Sequence, residues 1–157
     1  MRSLALALAL VSGCSSIGFD MSYDLPDLSV PGDPQAHAAA PFAIAVDLGQ
    51  QQSHAGEVST VTLASIEFSI TDESGCFDFV DDVSLTIAST KPGTTLAPAV
   101  VATASGPGCV HTFSLTPATV DLKPYLDEGA TVRATGSGVP PATAVTFDGH
   151  VVLHGSL

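Results

Sequence analysis

The sequence contains few positive charges and few aromatic rings. Lysine and arginine together number 4 among 157 residues, against 16 aspartate and glutamate residues, so the formal net charge is −12. A surface this acidic repels phosphate backbones and anionic lipid headgroups, which excludes nucleic-acid binding and electrostatic attachment to an anionic membrane. Tryptophan is absent and aromatic residues make up 6% of the chain, which weakens any stacking platform for carbohydrate.

Motifs that carry catalysis or bind metal are also lacking. The sequence contains no HExxH, GxSxG, SxxK or CxxC, and no glycine-rich loop of the phosphate-binding type. Enzymes need a nucleophile with its base, a metal, or a matched pair of acids, and no spacing here specifies one. We therefore expect no enzyme activity and no cofactor, with a hydrolase that uses a carboxylate pair as the remaining catalytic alternative.

The chain begins with a short apolar segment. Arg2 precedes an apolar run from Leu4 to Val11, and small residues then lead to Cys14. Eight residues are far fewer than the ~20 that span a bilayer as a helix. They fit the hydrophobic segment of a secretory signal peptide, which is typically about 7–15 residues long.

The residues Val11-Ser12-Gly13-Cys14 resemble the lipobox of bacterial lipoprotein precursors, which is an aliphatic residue, two small residues and a cysteine. The resemblance covers residues 1–16. It implies removal of residues 1–13 and acylation of Cys14 through its thiol and its new amine. Ser15 stands where an aspartate commonly retains such proteins at the inner membrane, so the resemblance implies the outer membrane. The alternative is an ordinary secretion signal cleaved nearby, with Cys14 incidental.

Cleavage at this site leaves three basic residues against 16 acidic ones, a net charge of −13 for the mature chain. It also leaves two cysteines, Cys76 and Cys109, in an oxidising compartment. We predict a disulfide between them, closing a loop with 32 intervening residues and joining two glycine-containing turns. The alternatives are two free thiols or a metal-binding pair, and the absence of CxxC disfavours the metal.

Apolar residues alternate with polar ones through most of the mature chain, and glycine and proline interrupt the alternation. This period of two predicts short strands rather than helices. The predicted strands are Ile17–Leu25 ending at Pro26, Phe42–Leu48, Val58–Ile70 with a bulge near Ala64-Ser65, Val83–Ile87, Ala99–Ala104, Val110–Thr116, an edge strand Ala130–Gly136, and one long final strand Val145–Leu153.

This pattern indicates an all-β fold, a single antiparallel β-sandwich of about eight strands. Leu122, Tyr125 and Leu126 predict one short helical turn near residues 121–127, with Asp121 able to cap it and Gly129 able to end it. Asp121 before Tyr125 resembles the tyrosine corner of immunoglobulin-like domains. The usual tryptophan and second cysteine of that family are lacking, so the resemblance extends to architecture only.

These observations divide the chain into three parts. Residues 1–13 are the signal peptide, residues 14–40 are a lipidated N-terminus, and residues 41–157 are the sandwich. Residues 17–25 form either an extended tether or a docked first strand. Their strict alternation favours docking.

Two groups of residues are candidates for metal binding. Dense carboxylates near a turn can hold Ca²⁺, and five cluster around Cys76: Asp72, Glu73, Asp78, Asp81 and Asp82. His150 and His154 share one face of a strand but lie ~13 Å apart there, too far for one ion. His37, His54 and His111 form no motif.

From these observations we expect a lipid-anchored protein of the cell envelope. Its body would act as a structural or interaction module for an envelope partner, without catalysis and without nucleic acid. The alternative is a ligand-binding module for carbohydrate or Ca²⁺ displayed on the same anchor.

Overall fold

The computed structural model describes residues 18–47, 58–72 and 75–157, and the side chains of residues 45–47 are not part of that description. Cys14 and the lipobox therefore lie outside the described residues. The described residues form eight strands and one short helix: β1 (Gly18–Val30), β2 (Ala40–Asp47), β3 (Thr60–Ile70), β4 (Asp82–Ser89), β5 (Ala99–Ser105), β6 (Thr112–Pro117), α1 (Lys123–Glu128), β7 (Ala130–Gly138) and β8 (Val145–Ser156).

All strand pairings are antiparallel, which confirms the predicted all-β class and number of strands. The strands form one curled sheet in the order β1-β8-β3-β6-β5-β4-β7-β2. β5 and β6 pair through only two residue pairs, Ala102 with Pro117 and Thr103 with Thr116. The sheet therefore consists of two four-stranded halves, β1-β8-β3-β6 and β5-β4-β7-β2, joined by a short seam.

This strand order differs from that of an immunoglobulin-like sandwich, in which the first two strands share a sheet with the fourth and fifth. Here the first strand pairs with the eighth and the second with the seventh. The immunoglobulin-like type of sandwich that the sequence favoured is therefore not confirmed. Alternation of apolar residues locates strands, but it carries no information about which strand lies beside which.

The first strand docks along β8 from Gly18 to Val30, as the alternation favoured, so this stretch is not a tether. Pro26 was predicted to end the strand, and this is wrong. The pairing shifts between Leu25 and Leu28, and the strand continues through a bulge in which Asp27 has φ 59°. Because β1 lies at an edge of the sheet, the missing N–H of Pro26 costs no ladder hydrogen bond.

Two further predictions about strands have opposite outcomes. The bulge predicted in the third strand is confirmed by a shift of register between Leu63 and Ser65. The prediction that Ala130–Gly136 forms an edge strand is wrong, because β7 lies between β4 and β2. Its low hydrophobicity reflects one solvent-exposed face, which carries Thr131, Arg133 and Thr135.

The short helix forms where it was predicted and ends at Gly129. Asp121 does not cap it from the N-cap position, which Leu122 occupies. Its carboxylate instead accepts the N–H groups of Lys123 at 3.0 Å and of Val61 at 3.1 Å. The hydroxyl of Tyr125 donates to the carbonyl of Ala97 at 2.7 Å, 28 residues upstream, whereas a tyrosine corner bonds a few residues upstream.

The predicted Cys76–Cys109 disulfide is present, with a Cα–Cα distance of 4.9 Å. Beside it the N–H of Phe77 donates to the carbonyl of Val110 at 3.0 Å. Phe77 is 1% exposed and its ring contacts three other phenylalanine rings. The loop before β4 thus carries a central core residue that its turn-like sequence did not predict. Within the described residues, no helix has the length and apolar character that crossing a bilayer requires.

Candidate functional site

The two halves of the sheet enclose an apolar cavity of about 70 Å³. The 22 described residues that line it are all apolar, and they include six of the seven phenylalanines of the chain. Side chains of both halves contribute, among them Phe68 and Phe147 from one half and Val83 and Leu85 from the other. The cavity is therefore lined from both halves of the sheet and not from one of them alone.

One side of this cavity is bordered by the two edge strands. Leu25 and Leu28 of β1 and Phe42 and Ile44 of β2 line the cavity and are all half-buried. In the described parts of β1 and β2, no backbone ladder joins the two strands. Half-buried residues of both edge strands are thus part of the lining of the cavity.

A second cavity, of about 110 Å³, shares part of its lining with the first. Val30, Phe42 and Phe79 line both cavities. The second cavity is also lined by Pro31 and Pro41, which lie at the surface end.

The chemistry of the lining restricts what the first cavity can hold. A buried water needs two to four polar partners, and no buried polar or charged residue belongs to the described part of the chain. Leaving about 70 Å³ unfilled in a core costs ~1.7 kcal/mol at ~24 cal/mol per Å³.

The outer face of the β1–β8 pair carries two aspartate–histidine pairs. Nδ1 of His150 lies 2.7 Å from Oδ1 of Asp24, and Nδ1 of His154 lies 2.7 Å from Oδ1 of Asp20. All four side chains are about half exposed or more. The two histidines are therefore surface residues of one strand, as predicted. Their aspartate partners were not predicted, because they lie 126 and 134 residues away in the chain.

A carboxylate–imidazole pair contributes to catalysis when a nucleophile lies at the other ring nitrogen. Among the hydrogen bonds of the described residues, neither imidazole has such a hydroxyl partner. Glu67 of β3 is opposite His150 in the register, and it accepts the Ser114 hydroxyl at 3.4 Å. The two aspartate–histidine pairs therefore link β1 to β8 through their side chains.

The acidic residues proposed for Ca²⁺ are not brought together as a site. In residues 18–47, 58–72 and 75–157, no three histidine, cysteine, aspartate or glutamate side chains are placed to share a metal ion. The carboxylate of Asp82 accepts a hydrogen bond from the Ser137 hydroxyl. Asp72, Asp78 and Asp81 are exposed, and Glu73 lies outside the described residues.

Glu128, at the end of α1, is hydrogen-bonded to the end of β4 and to the loop between β4 and β5. Its carboxylate accepts hydrogen bonds from the hydroxyl of Thr94, from the hydroxyl of Ser89 at 2.8 Å and from Nζ of Lys91 at 3.2 Å. These bonds, that of Thr94 foremost, hold the pKa of the Glu128 carboxyl below its ordinary value. The network is a structural tie between helix and loop that no local motif indicated.

Comparison with known proteins identifies no family. No family model matches the chain, and no curated protein matches it. Solved structures that resemble it include those of desmodium yellow mottle tymovirus (9% identity, TM-score 0.35, 99% of this chain and 95% of that one) and empty heads of turnip yellow mosaic virus (13% identity, TM-score 0.35, 100% and 90%). At these TM-scores the likeness carries no argument about this protein.

Proposed function

We propose that this protein is a lipoprotein of the bacterial cell envelope, held on the outer membrane by acyl groups on Cys14, and that its β body is a non-catalytic interaction module. The observation that carries the proposal is the sequence Val11-Ser12-Gly13-Cys14 behind a basic residue and an eight-residue apolar run. Two or three acyl chains bind a membrane far more firmly than one, since each buried methylene contributes ~0.8 kcal/mol.

The position of β1 supports a body that lies close to the membrane. Gly18, the first residue of β1, follows Cys14 by four residues. An extended chain spans at most ~3.5 Å per residue, so Gly18 lies within ~14 Å of the acylated residue. The end of the sheet where Gly18 and Thr60 flank Ser156 would then face the bilayer, and the opposite end would be free to meet partners.

The proposal includes a two-layered body, that is, a sandwich of the two half-sheets. The cavity lined from both halves supports it, because side chains of the two halves face the same space. Jelly rolls are one fold of this kind, because they pack eight strands into two sheets. The net charge of −13 on the mature chain favours cationic partners over polyanions.

Membrane attachment is tested by expressing the full chain and its Cys14→Ala variant in bacteria and fractionating the cells after labelling with an alkyne fatty acid. We expect label and firm membrane association for the wild type, and neither for the variant. Ser16→Ala, just outside the lipobox, is the matched control and should behave as wild type. Equal membrane association of the Cys14→Ala variant would refute the anchor.

The choice of the outer membrane is tested separately with Ser15→Asp, which should move the protein from the outer to the inner membrane. An unchanged location for this variant would refute the proposed sorting but not the anchor.

The interaction role is tested by chemical cross-linking in intact cells followed by mass spectrometry. A specific envelope protein that is cross-linked to the wild type supports the role, and capture of none contradicts it.

A further inference from the structure

We infer that the end of the body nearest to Cys14 lies directly on the lipid bilayer, and that Phe19 and Leu157 enter the interfacial layer of that bilayer. We call this end the anchor end; it is where Gly18 of β1 pairs with Ser156 of β8. The inference deepens the proposed function and rests on its lipid anchor, because it names the side chains by which the anchored body meets the membrane.

The anchor end carries two exposed apolar side chains. Phe19 is 38% exposed and Leu157 is 59% exposed. Phe19 pairs with Gly155, two residues before Leu157, so the two side chains belong to neighbouring strands. Successive residues of a strand point to opposite faces, which places Phe19 on the face of Met21 and Tyr23, both packed against the core. Phe19 thus extends this apolar face towards the end of the sheet.

The surroundings of Phe19 are apolar or carry neutral hydroxyl groups. A Cβ added to Gly155 would lie 3.1 Å from Cζ of Phe19 and 3.2 Å from Cγ1 of Val58, so the ring lies over the Gly155 backbone beside a buried valine. The hydroxyl of Ser59 donates to the carbonyl of Ser156 at 2.9 Å. Phenylalanine and leucine are among the side chains that membrane-surface proteins bury at the boundary between head groups and acyl chains.

The short chain between the acylated residue and β1 limits how far this end can lie from the bilayer. Phe19 follows Cys14 by five residues, which span at most ~18 Å when fully extended. Each interfacial layer of a bilayer is ~5–8 Å thick. Val30, at the other end of β1, lies ~35 Å further along the strand. The anchor end is therefore the part of the described body that first reaches the lipid.

The half-sheet β1-β8-β3-β6 concentrates its negative charge at the opposite end. Four exposed carboxylates lie there: Asp27, Asp33, Asp72 and Asp148. They are separated from the anchor end by most of the length of β1, whereas the Debye length at physiological salt is ~8 Å. At the anchor end β1 carries Asp20, whose Oδ1 lies 2.7 Å from Nδ1 of His154. The net negative charge of the chain therefore does not oppose contact at this end.

The acidic residues of α1, which is hydrogen-bonded to the start of β3 at the anchor end, are paired with lysines. Asp127 lies 2.7 Å from Nζ of Lys123, and Glu128 lies 3.2 Å from Nζ of Lys91. Paired charges of opposite sign exert a much weaker field at a distance than single ones. The contact that we infer is accordingly apolar, and it requires no anionic lipid.

The contact is tested with a single tryptophan, because the chain has none of its own. The acylated Phe19→Trp chain is reconstituted in phosphatidylcholine vesicles, with and without bromine on the acyl chains, and its fluorescence is measured. Val139→Trp is the matched control: Val139 is 42% exposed, and its neighbours Gly138 and Pro140 line the second cavity together with Val30, far from the anchor end. We expect bromine to quench Phe19→Trp at least about threefold more strongly than Val139→Trp. Equal quenching of the two variants would overturn the contact.

Failure of the anchor is distinguished by attaching the chain to lipid chemically. With Cys76 and Cys109 in their disulfide, the thiol of Cys14 is coupled to a maleimide-bearing phospholipid, so the chain is held at the vesicle whether or not bacteria acylate it. Stronger quenching of Phe19→Trp than of Val139→Trp in this coupled chain supports the contact, even where absence of acylation in cells refutes the anchor. Equal quenching in the coupled chain would overturn the contact and leave the anchor standing.

A further pair of variants tests the role of Leu157. In the Phe19→Trp chain, Leu157→Asp adds a charge at the anchor end and should reduce quenching at least about twofold, because a carboxylate resists entry into the interfacial layer. Val139→Asp adds the same charge at the far end and should leave the quenching unchanged. Should Phe19→Trp fail to fold by circular dichroism, Leu157→Trp takes its place as the reporter. Equal quenching with Leu157→Asp and Val139→Asp would overturn the assignment of Leu157.

Discussion

Loss of the Cys76–Cys109 disulfide should destabilise the body by several kcal/mol without changing its fold. The bond joins residues separated by 33 positions, and closing a loop of that length restricts the unfolded chain by ~3.8 kcal/mol at 25 °C. The folded state should persist, because Phe77 remains buried and its N–H remains bonded to the carbonyl of Val110. A domain of this size loses ~2–4 °C of Tm per kcal/mol, so Tm should fall by about 8–15 °C.

The measurement is urea unfolding of the Cys76→Ser/Cys109→Ser double variant and its parent, both carrying Cys14→Ser so that no third thiol can exchange. Far-UV circular dichroism is the signal of choice, because the chain has no tryptophan. Dithiothreitol should lower the stability of the parent to that of the double variant and leave the variant unchanged. A stability difference under ~1 kcal/mol, or two free thiols in the untreated parent by mass spectrometry, would refute the reasoning.

Three further predictions concern packing and charge. Phe77→Ala should cost ~3–5 kcal/mol in urea unfolding, because the ring is 1% exposed, whereas Phe19→Ala, at a 38% exposed ring, should cost much less; equal losses would contradict the assigned core. Gly138→Ala should destabilise the body by more than ~1 kcal/mol, because a Cβ there would overlap the carbonyl of Phe79; an unchanged Tm would contradict that contact. Glu128→Gln should destabilise the body at neutral pH, because its hydrogen bonds favour the ionised carboxylate, and the difference in stability from wild type should shrink as the pH falls through the lowered pKa of Glu128. A difference that does not depend on pH would contradict the network.

Local features of the sequence located most of the strands. Alternation predicted β2 and β8 to within a few residues, and a change of phase predicted the bulge between Leu63 and Ser65. The even number of cysteines left after Cys14 predicted the disulfide. Each of these signals depends on one stretch of chain or on a count, so no knowledge of the distant partners is needed.

The partners of each strand were decided by the tertiary structure alone. The pairing of the first strand with the eighth, the interior position of β7 and the contact of Asp24 with His150 all join segments far apart in sequence. Pairing depends on how two apolar faces close a common core, and alternation records only that one face of each strand is buried. The apolar cavity has the same origin, because residues of both half-sheets line it. What the sequence alone determined was where most of the strands lie, and the tertiary structure decided how those strands pair.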